Sequence, residues 1–441
     1  MGLAIGMPEL ISMLTAELEE LPDGRKKGNN TKYTVEEALK SAFSVFFMQS
    51  PSFLDHQRLM RSQKGRDNTA SLFDLENIPC DNQIRTLLDL VPAATVFGVF
   101  RSVYKSLDQT GNLKPYKCFQ GEFLLTLDGT EYFSSKKIHC SHCCHRHHKN
   151  GSTTYYHAAV TPVLVAPGRP EVISLEPEFI TPQDGHDKQD CENAAAKRWI
   201  AAHPRKPQDP PVTLLGDDLY CNQPICETAL EHGYNFIFVC KQTSHPELYD
   251  WVDYLERVGE VKTLTQFEIR GRQRLSYHYR FVNQVPLRAT QPALLVNWCE
   301  VRVTDTNNQK ILYHNALATC HQIDEQNVAE IITAGRARWK VENEGNNVLK
   351  TKGYHLEHNF GHGQNHLAEL LFCLNLLAYL FHTTLDLVHI TYRAVRQMLV
   401  TRQTFFNDIR ALTRYLGFES WQALLEFMLK EGKTSEGINS S

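Results

Sequence analysis

The chain has 441 residues, of which 42% are hydrophobic and 22% charged, with a formal net charge of −4. Those values describe a globular protein too long for one ordinary domain, so two or three packing units are expected. They leave no global basic field, and any contact with a polyanion has to come from local patches.

The twelve cysteines are irregularly spread and too few for a disulfide scaffold of this size, which points to a reduced, cytoplasmic setting. The start, "MGLAIGMPELISML", has no basic n-region and soon meets acidic "ELEELPD", so no signal peptide is expected. The longest apolar run, "LAELLFCLNLLAYLF", contains Glu369 and Asn375 and is short for a membrane span. It predicts a buried helix and no membrane partner.

The first hundred or so residues read as helical. "TVEEALKSAF" opens with Thr34 and Glu37 in capping-box spacing, and Pro51 ends that helix. Asp81 is placed to cap a second helix, with Ile84, Leu87, Leu88 and Val91 on one face. Polar, basic "RSQKGRDNT" between them predicts a loop, and "ATVFGVFRSVYKSL" predicts a third helix ending at "DQTGN". Near Phe119 the character changes. "EFLLTLDGTEYF", "TYYHAAVTPVLVAPG" and "PEVISLEPEFI" predict three strands, and "DCENAAAKRWIAA" a helix. "PPVTLLGDDLYCNQPICETALEHGYNFIFVCK" then reads as strand, acidic turn, helix ending at Gly233, and strand. The series implies a mixed α/β sheet.

From Thr263 to Cys320 the pattern alternates with period two ("RLSYHYRFV", "ALLVNWCEVRV", "KILYHNALA"), as in an antiparallel β unit with one solvated face. Trp298 falls on its apolar side. Helices resume with "AEIITAGRARWKVENE" and continue to about Lys430, and the tail "EGKTSEGINSS" is expected to be disordered. The resulting division is a helical N-terminal domain over 1–117, with scope for DNA binding, and α/β core over 118–250. A β-rich insertion follows over 251–330, then the remainder of the core over 331–385 and C-terminal helices and tail over 386–441.

Three carboxylates stand out by position. Asp128 follows apolar "FLLTL", Asp217 follows "VTLLG", and Glu342 shares a predicted helix with Arg338 and Trp339. The carboxyl ends of strands are where open α/β sheets hold ligands. Three acids brought together repel one another, and a hard divalent cation relieves that repulsion; Mg²⁺ takes a few carboxylates while keeping water and substrate phosphate. Two such ions about 3.5–4 Å apart would support phosphodiester chemistry. Arg338, four residues before Glu342, would share its face and meet phosphate. Each acid has a plainer reading as well: Asp-Gly is a common turn signal, Asp217 and Asp218 are near a helix start, and Arg338 with Glu342 matches a surface ion pair. Glu344 and Asp218 are rivals for the third and second positions.

The series "LTLDGT", "LLGDDLY" and "RWKVEN" resembles the DDE transposases of bacterial insertion sequences, and most closely the insertion-sequence-four type. The order and spacing agree from about Phe119 to His382. In that family a β-rich insertion interrupts an RNase H-like core before the last glutamate. The resemblance implies an α/β RNase H-like mixed sheet with an inserted antiparallel β subdomain and flanking helical regions. It further implies a cut-and-paste transposase in which Asp128, Asp217 and Glu342 hold two Mg²⁺ ions, with Mn²⁺ as a substitute. Arg338, Trp339, Lys350 and Lys352 would contact DNA. The partners would be double-stranded DNA, as terminal inverted repeats and target, and a second subunit in a synaptic homodimer; the setting would be the bacterial cytoplasm at the nucleoid. Two positions depart from the family pattern: Gly335 stands where a tyrosine is usual, and Leu349 where a lysine is usual, with Lys350 one step on. The alternatives of another class are a DNA-binding relic without catalysis and a carboxylate-based glycoside hydrolase; the cations around Glu342 count against sugar.

"KKIHCSHCCHRHHKNG" is the densest metal-ligand composition in the chain. Zinc through Cys140, Cys143, His145 and His148 is one reading, which would also allow a zinc-dependent nuclease. A solvated basic tip carrying Lys136, Lys137, Arg146 and Lys149 is the other. "EIRGRQRLSYHYR" interleaves arginines with Tyr277 and Tyr279, a pattern shared by strand-binding grooves and charged outer sheet faces.

Overall fold

A computed structural model describes residues 5–19, 32–182, 190–399 and 401–436. Its fourteen strands are β1 (Lys117–Phe119), β2 (Glu122–Thr126), β3 (Gly129–Ser135), β4 (Cys144–His147), β5 (Thr153–Val160), β6 (Val163–Val165), β7 (Ile173–Ser174), β8 (Glu178–Ile180), β9 (Val212–Gly216), β10 (Asn235–Val239), β11 (Lys262–Arg270), β12 (Gln273–Pro286), β13 (Leu295–Asp305) and β14 (Lys310–Thr319).

Ten of them form one mixed sheet in the order β11-β12-β13-β14-β10-β9-β2-β6-β7, with β1 beside β2. Strands β2, β9 and β10 run parallel, while β6 and β14 are antiparallel to their neighbours β2 and β10. Every residue of β2 and β9 is buried, as the unbroken apolar runs "FLLT" and "VTLLG" demand of central strands. The remaining strands, β3, β4, β5 and β8, form a second sheet.

Two predicted strands turn out to be corners. "EFLLTLDGTEYF" divides at Leu127–Asp128 into β2 of the large sheet and β3 of the small one. "TYYHAAVTPVLVAPG" divides at Thr161–Pro162 into β5 and β6 in the same way. The bends lie side by side: Thr161 N donates to the Asp128 carbonyl at 2.9 Å. Proline has no N–H to give to a ladder, which suits Pro162 to such a break.

The alternating segment forms antiparallel strands. β14 pairs with β10, so β11–β14 prolong the large sheet. Trp298 is fully buried there, with Tyr249 edge-on at 5.7 Å.

The capping box at Thr34 is present, with Glu37 N donating to Thr34 Oγ1 at 3.0 Å and Thr34 N to Glu37 Oε2 at 2.8 Å. Asp81 lies one residue inside its helix, with Cys80 at the cap. The predicted loop "RSQKGRDNT" is instead mostly helix, Gln63–Phe73, capped by Ser62. Its weak helix propensity is overridden by tertiary bonds: Asn68 Nδ2 donates to the carbonyls of Thr413 at 2.8 Å and Leu416 at 2.7 Å. The last helix, Trp421–Glu436, also runs further than expected, and residues 437–441 of the tail lie outside the described residues.

The apolar run forms the 22-residue helix Leu367–Val388, with most of its side chains buried in the protein. N- and C-terminal helices close over it together. Phe43 meets Phe381 edge-on at 5.1 Å, and Phe47 meets Trp421 at 5.2 Å. Trp421 Nε1 donates to the Leu72 carbonyl at 2.7 Å. Replacing Trp421 with Ala should therefore cost about 3–5 kcal/mol and loosen both ends of the chain in a single denaturant transition. Loss of the C-terminal helix signal well before the N-terminal one, read by residue-resolved hydrogen exchange, would contradict a shared core.

Candidate active site at the strand corner

Asp128 follows β2 directly, at the corner between the two sheets. Its parallel neighbour β9 ends at Gly216, so Asp217 emerges beside it at the same end of the sheet. Glu342 comes from the other side of the chain's path. The expected continuous helix breaks: an α-helix covers Val328–Arg336, and Val341–Asn346 is π-helical, with Asn347 N donating to the Glu342 carbonyl five residues back. A π-turn inserts one extra residue and resets which side chains face a neighbour, a feature common at functional sites.

Glu342 and Asp217 both act electrostatically on Asp128. The Asp128 carboxyl is raised from 3.8 to about 7, chiefly by burial and in addition by the charges of Glu192, Glu342 and Asp217, with Arg338 opposing. Asn346 Nδ2 donates to Asp128 Oδ2 at 2.9 Å, and Thr161 Oγ1 donates to the Asp128 carbonyl at 3.2 Å. Asp128 is a corner residue, as the Asp-Gly pair allows, and it is also electrostatically linked to both other acids.

Glu192 is a fourth carboxylate that the sequence reading passed over. It opens the helix Glu192–Ala202, and its Oε1 accepts from Gly129 N at 2.9 Å and Tyr220 Oη at 2.8 Å. Burial raises its pKa, the two donors oppose that, and the Asp217 charge adds to it. A Cβ at Gly129 would lie 2.4 Å from Glu192 Oε2, so a larger residue there would displace that carboxylate. Asn346 was also missed, although it falls four residues after Glu342 on the same turn. Neither position carries a motif that could have marked it.

Of the two rival acids, Asp218 is occupied elsewhere. Asp218 Oδ1 accepts from Lys241 N at 2.7 Å, and Oδ2 accepts from Ser244 Oγ, so it anchors the loop after β10. Asp217 Oδ1 accepts a short-range bond from Leu219 N at 2.9 Å. Glu344 lies beside Tyr379, whose pKa is raised chiefly by burial with the Glu344 charge adding to it, and Tyr379 Oη donates to the Glu344 backbone carbonyl.

Arg338 Nη1 donates to Glu342 Oε1 at 2.9 Å, with side-chain exposures of 8% and 40%. This is not a surface pair, because the guanidinium is buried and only the carboxylate reaches solvent. Arg338 also lies 5.0 Å from the Trp339 ring, which is half exposed. Gly335 explains one departure from the family pattern. A Cβ there would sit 2.5 Å from Leu317 Cδ1 and 3.1 Å from Ile237 Cγ2, so the helix is pressed onto β14 and β10 and no tyrosine fits. Of the downstream lysines, Lys350 is paired with Glu357 at 3.0 Å, and Lys352 is exposed on a groove shared with Arg396, Arg402 and Arg410.

The cysteine–histidine loop is rearranged relative to expectation. Cys140 and Cys143 are together, but His145 and His148 are not with them: His148 Nε2 lies 2.8 Å from Thr154 Oγ1, and the His145 ring packs on His147 at 4.9 Å. His145 lies on β4 and His148 just past it, so both follow the ladder with β5 away from the Cys140–Cys143 turn. In the arginine–tyrosine hairpin, Arg270 pairs with Glu268, Arg280 pairs with Glu300 and Glu256, and Tyr279 is buried.

No family model matches the chain, and no curated protein matches it. Among solved structures the chain is similar to one described as a cryo-EM structure of a piggyBac transposase synaptic complex with hairpin DNA. The identity is 10%, with 92% of this chain and 77% of that chain covered and a TM-score of 0.40. At that level nothing about the site is transferred from it.

The raised Asp128 pKa has a definite sign. Without a divalent ion, its stabilising contribution is complete below the unfolded carboxylate range, declines as pH rises, and is lost above about 7. Metal-free Asp128→Asn should thus melt higher than the unsubstituted chain at pH 8, by about 2 °C or more, with the two converging near pH 4. Glu192→Gln should move the same transition to lower pH. Equal melting curves for the Asn variant and the parent across this range would contradict the crowding.

Proposed function

We propose that the chain is a DNA transposase of the DDE type, acting on double-stranded DNA at element ends. The observation that carries this reading is that Asp128 and Asp217 leave neighbouring parallel strands at the same end of the sheet, that the Asp217 and Glu342 charges both act on Asp128, and that Arg338 is bonded to Glu342. Carboxylates that repel one another in a half-buried corner fit a hard divalent ion, since an all-oxygen donor set suits Mg²⁺ or Mn²⁺. When bound, such ions supply an activated oxygen nucleophile and charge stabilisation at phosphorus.

The chain's own groups have separate tasks in this reading. Asp128, Asp217 and Glu342 would hold the ions, and Asn346 would orient Asp128. Arg338 would fix the Glu342 carboxylate and bring positive charge to the phosphate backbone. Exposed Trp339 would supply a stacking surface beside it, and Lys352 a backbone contact. The core strand order β7-β6-β2-β9-β10, with its antiparallel pair on one flank and parallel strands on the other, supports the RNase H-like assignment. The narrower insertion-sequence-four assignment rests on the spacing of Arg338 and Glu342 and on the β segment between the second and third acids. Strand transfer, recognition of terminal inverted repeats, pairing of two subunits in a synaptic complex and a place at the bacterial nucleoid follow from the same reading.

The test is incubation of the full chain with a duplex carrying the inverted repeat that flanks its coding region, with Mg²⁺, with Mn²⁺ or with chelator. Strand cleavage at the element end should require the metal and fall at least about 100-fold in Asp128→Ala, Asp217→Ala and Glu342→Gln. Retention of binding without any cleavage by the unsubstituted chain would mark it as a DNA-binding relic. Undiminished cleavage by all three variants would remove these acids from the site.

A further inference from the structure

Four soft or borderline ligands meet below the strand corner, on the side of the small sheet. Cys140 and Cys143 lie at the tip of the segment between β3 and β4, His157 is on β5, and His362 lies in the loop before the helix Leu367–Val388. Cys143, His157 and His362 are buried, with exposures of 6%, 2% and 7%. Their ligand atoms all lie within 4.8 Å of one another.

The separations are those of a coordination tetrahedron. With Zn–S about 2.3 Å and Zn–N about 2.0–2.1 Å, tetrahedral geometry demands about 3.8 Å between sulfurs, about 3.4 Å between nitrogens and about 3.6 Å between sulfur and nitrogen. The observed values are 3.9 Å for Cys140 Sγ to Cys143 Sγ and 3.2 Å for His157 Nε2 to His362 Nε2. The mixed edges measure 3.5 Å for Cys140 to His157, 3.3 Å for Cys143 to His157 and 3.4 Å for Cys143 to His362. A disulfide is a poor account of the cysteines, because their sulfurs are well beyond the bonded length of about 2.05 Å.

Proton placement agrees. His362 Nδ1 lies 2.9 Å from the Gly363 carbonyl, which can only accept, so Nδ1 carries the proton and Nε2 offers its lone pair inward. Phe133 packs against the His362 ring at 4.5 Å, and the Tyr132 ring stacks on His157 at 5.7 Å, giving the cluster an apolar wall. Two sulfurs and two imidazoles in a tetrahedral array select zinc over Mg²⁺ or Mn²⁺.

We propose that Cys140, Cys143, His157 and His362 form a closed structural zinc site. Its ligands span 219 positions between Cys143 and His362, so the ion fastens the hairpin that follows the first acid to the loop that follows the third. The adjacent contact of His142 Nδ1 with Glu369 Oε1, at 3.1 Å, ties the same hairpin to the long helix. With four protein ligands no position is left for water, so the role is to hold the fold around the strand corner. This site stands whether or not the acids above it cut DNA.

The experiment is metal analysis of the full chain purified without chelator. About one zinc per chain is expected, and replacement by cobalt(II) should give the intense visible bands of tetrahedral thiolate coordination. Cys143→Ser and His362→Ala should lose the zinc and melt lower. His362→Cys, which keeps a ligand, should retain it, and so should His145→Ala and His148→Ala. Cobalt binding by the unsubstituted chain decides the matter even where a ligand variant fails to fold. Zinc well below one per chain with no thiolate–cobalt bands, or full zinc in soluble Cys143→Ser, would overturn the proposal.

Discussion

Negative charge crowded into a half-buried corner is the constraint around which the molecule is organised. Asp128 sits where β2 leaves the large sheet for the small one, and its backbone carbonyl is taken by Thr161 at the matching bend of β5 into β6. Its backbone is therefore fixed within electrostatic reach of Glu192, Asp217 and Glu342. Burial of an unpaired carboxylate is expensive, so the group holds its proton near neutrality unless a cation compensates it. Arg338 and Asn346 supply part of that compensation, and the remainder defines what the site can bind.

The rest of the structure serves to keep those elements in register. Because β11–β14 prolong the large sheet, β14 offers a firm surface for the helix Val328–Arg336, and Gly335 lets the two approach closely. That contact sets where the chain enters the π-turn carrying Glu342. Beyond it, the long helix Leu367–Val388 is enclosed by helices from both ends of the chain, with Phe43, Phe47, Phe381 and Trp421 in contact. The segment bearing the third acid is thus fixed on one side by a sheet and followed on the other by a buried helix.

Hard and soft ligands are separated within a short stretch of chain. Oxygen ligands collect at the end of β2 and β9, while sulfur and imidazole collect beneath β3 and β5. A zinc ion would be drawn to the second set and magnesium to the first, so the two sites need not compete. The strand that begins immediately after Asp128 joins them.

The elements readable along the chain were those governed by local periodicity and local hydrogen bonding. The apolar runs of β2, β9 and β10, the capping box at Thr34, the period-two strands and the buried helix after Gly363 belong to that class. The pairing of Arg338 with Glu342 was also legible from their four-residue spacing, although the helix is interrupted there. What the sequence did not reveal was decided by contacts between distant segments. The corner at Leu127–Asp128 arises from pairing with β5, the helix Gln63–Phe73 from bonds to Thr413 and Leu416, and the union of β14 with β10 from sheet register. Glu192 joins the acids through the Gly129 amide, and His362 reaches the cysteines from 219 positions away, neither with any local signature. Residue type and spacing determined which groups have chemistry to offer; only the tertiary fold decided which of them share a site, because a side chain's neighbours across the fold are set by chain path and not by position along it.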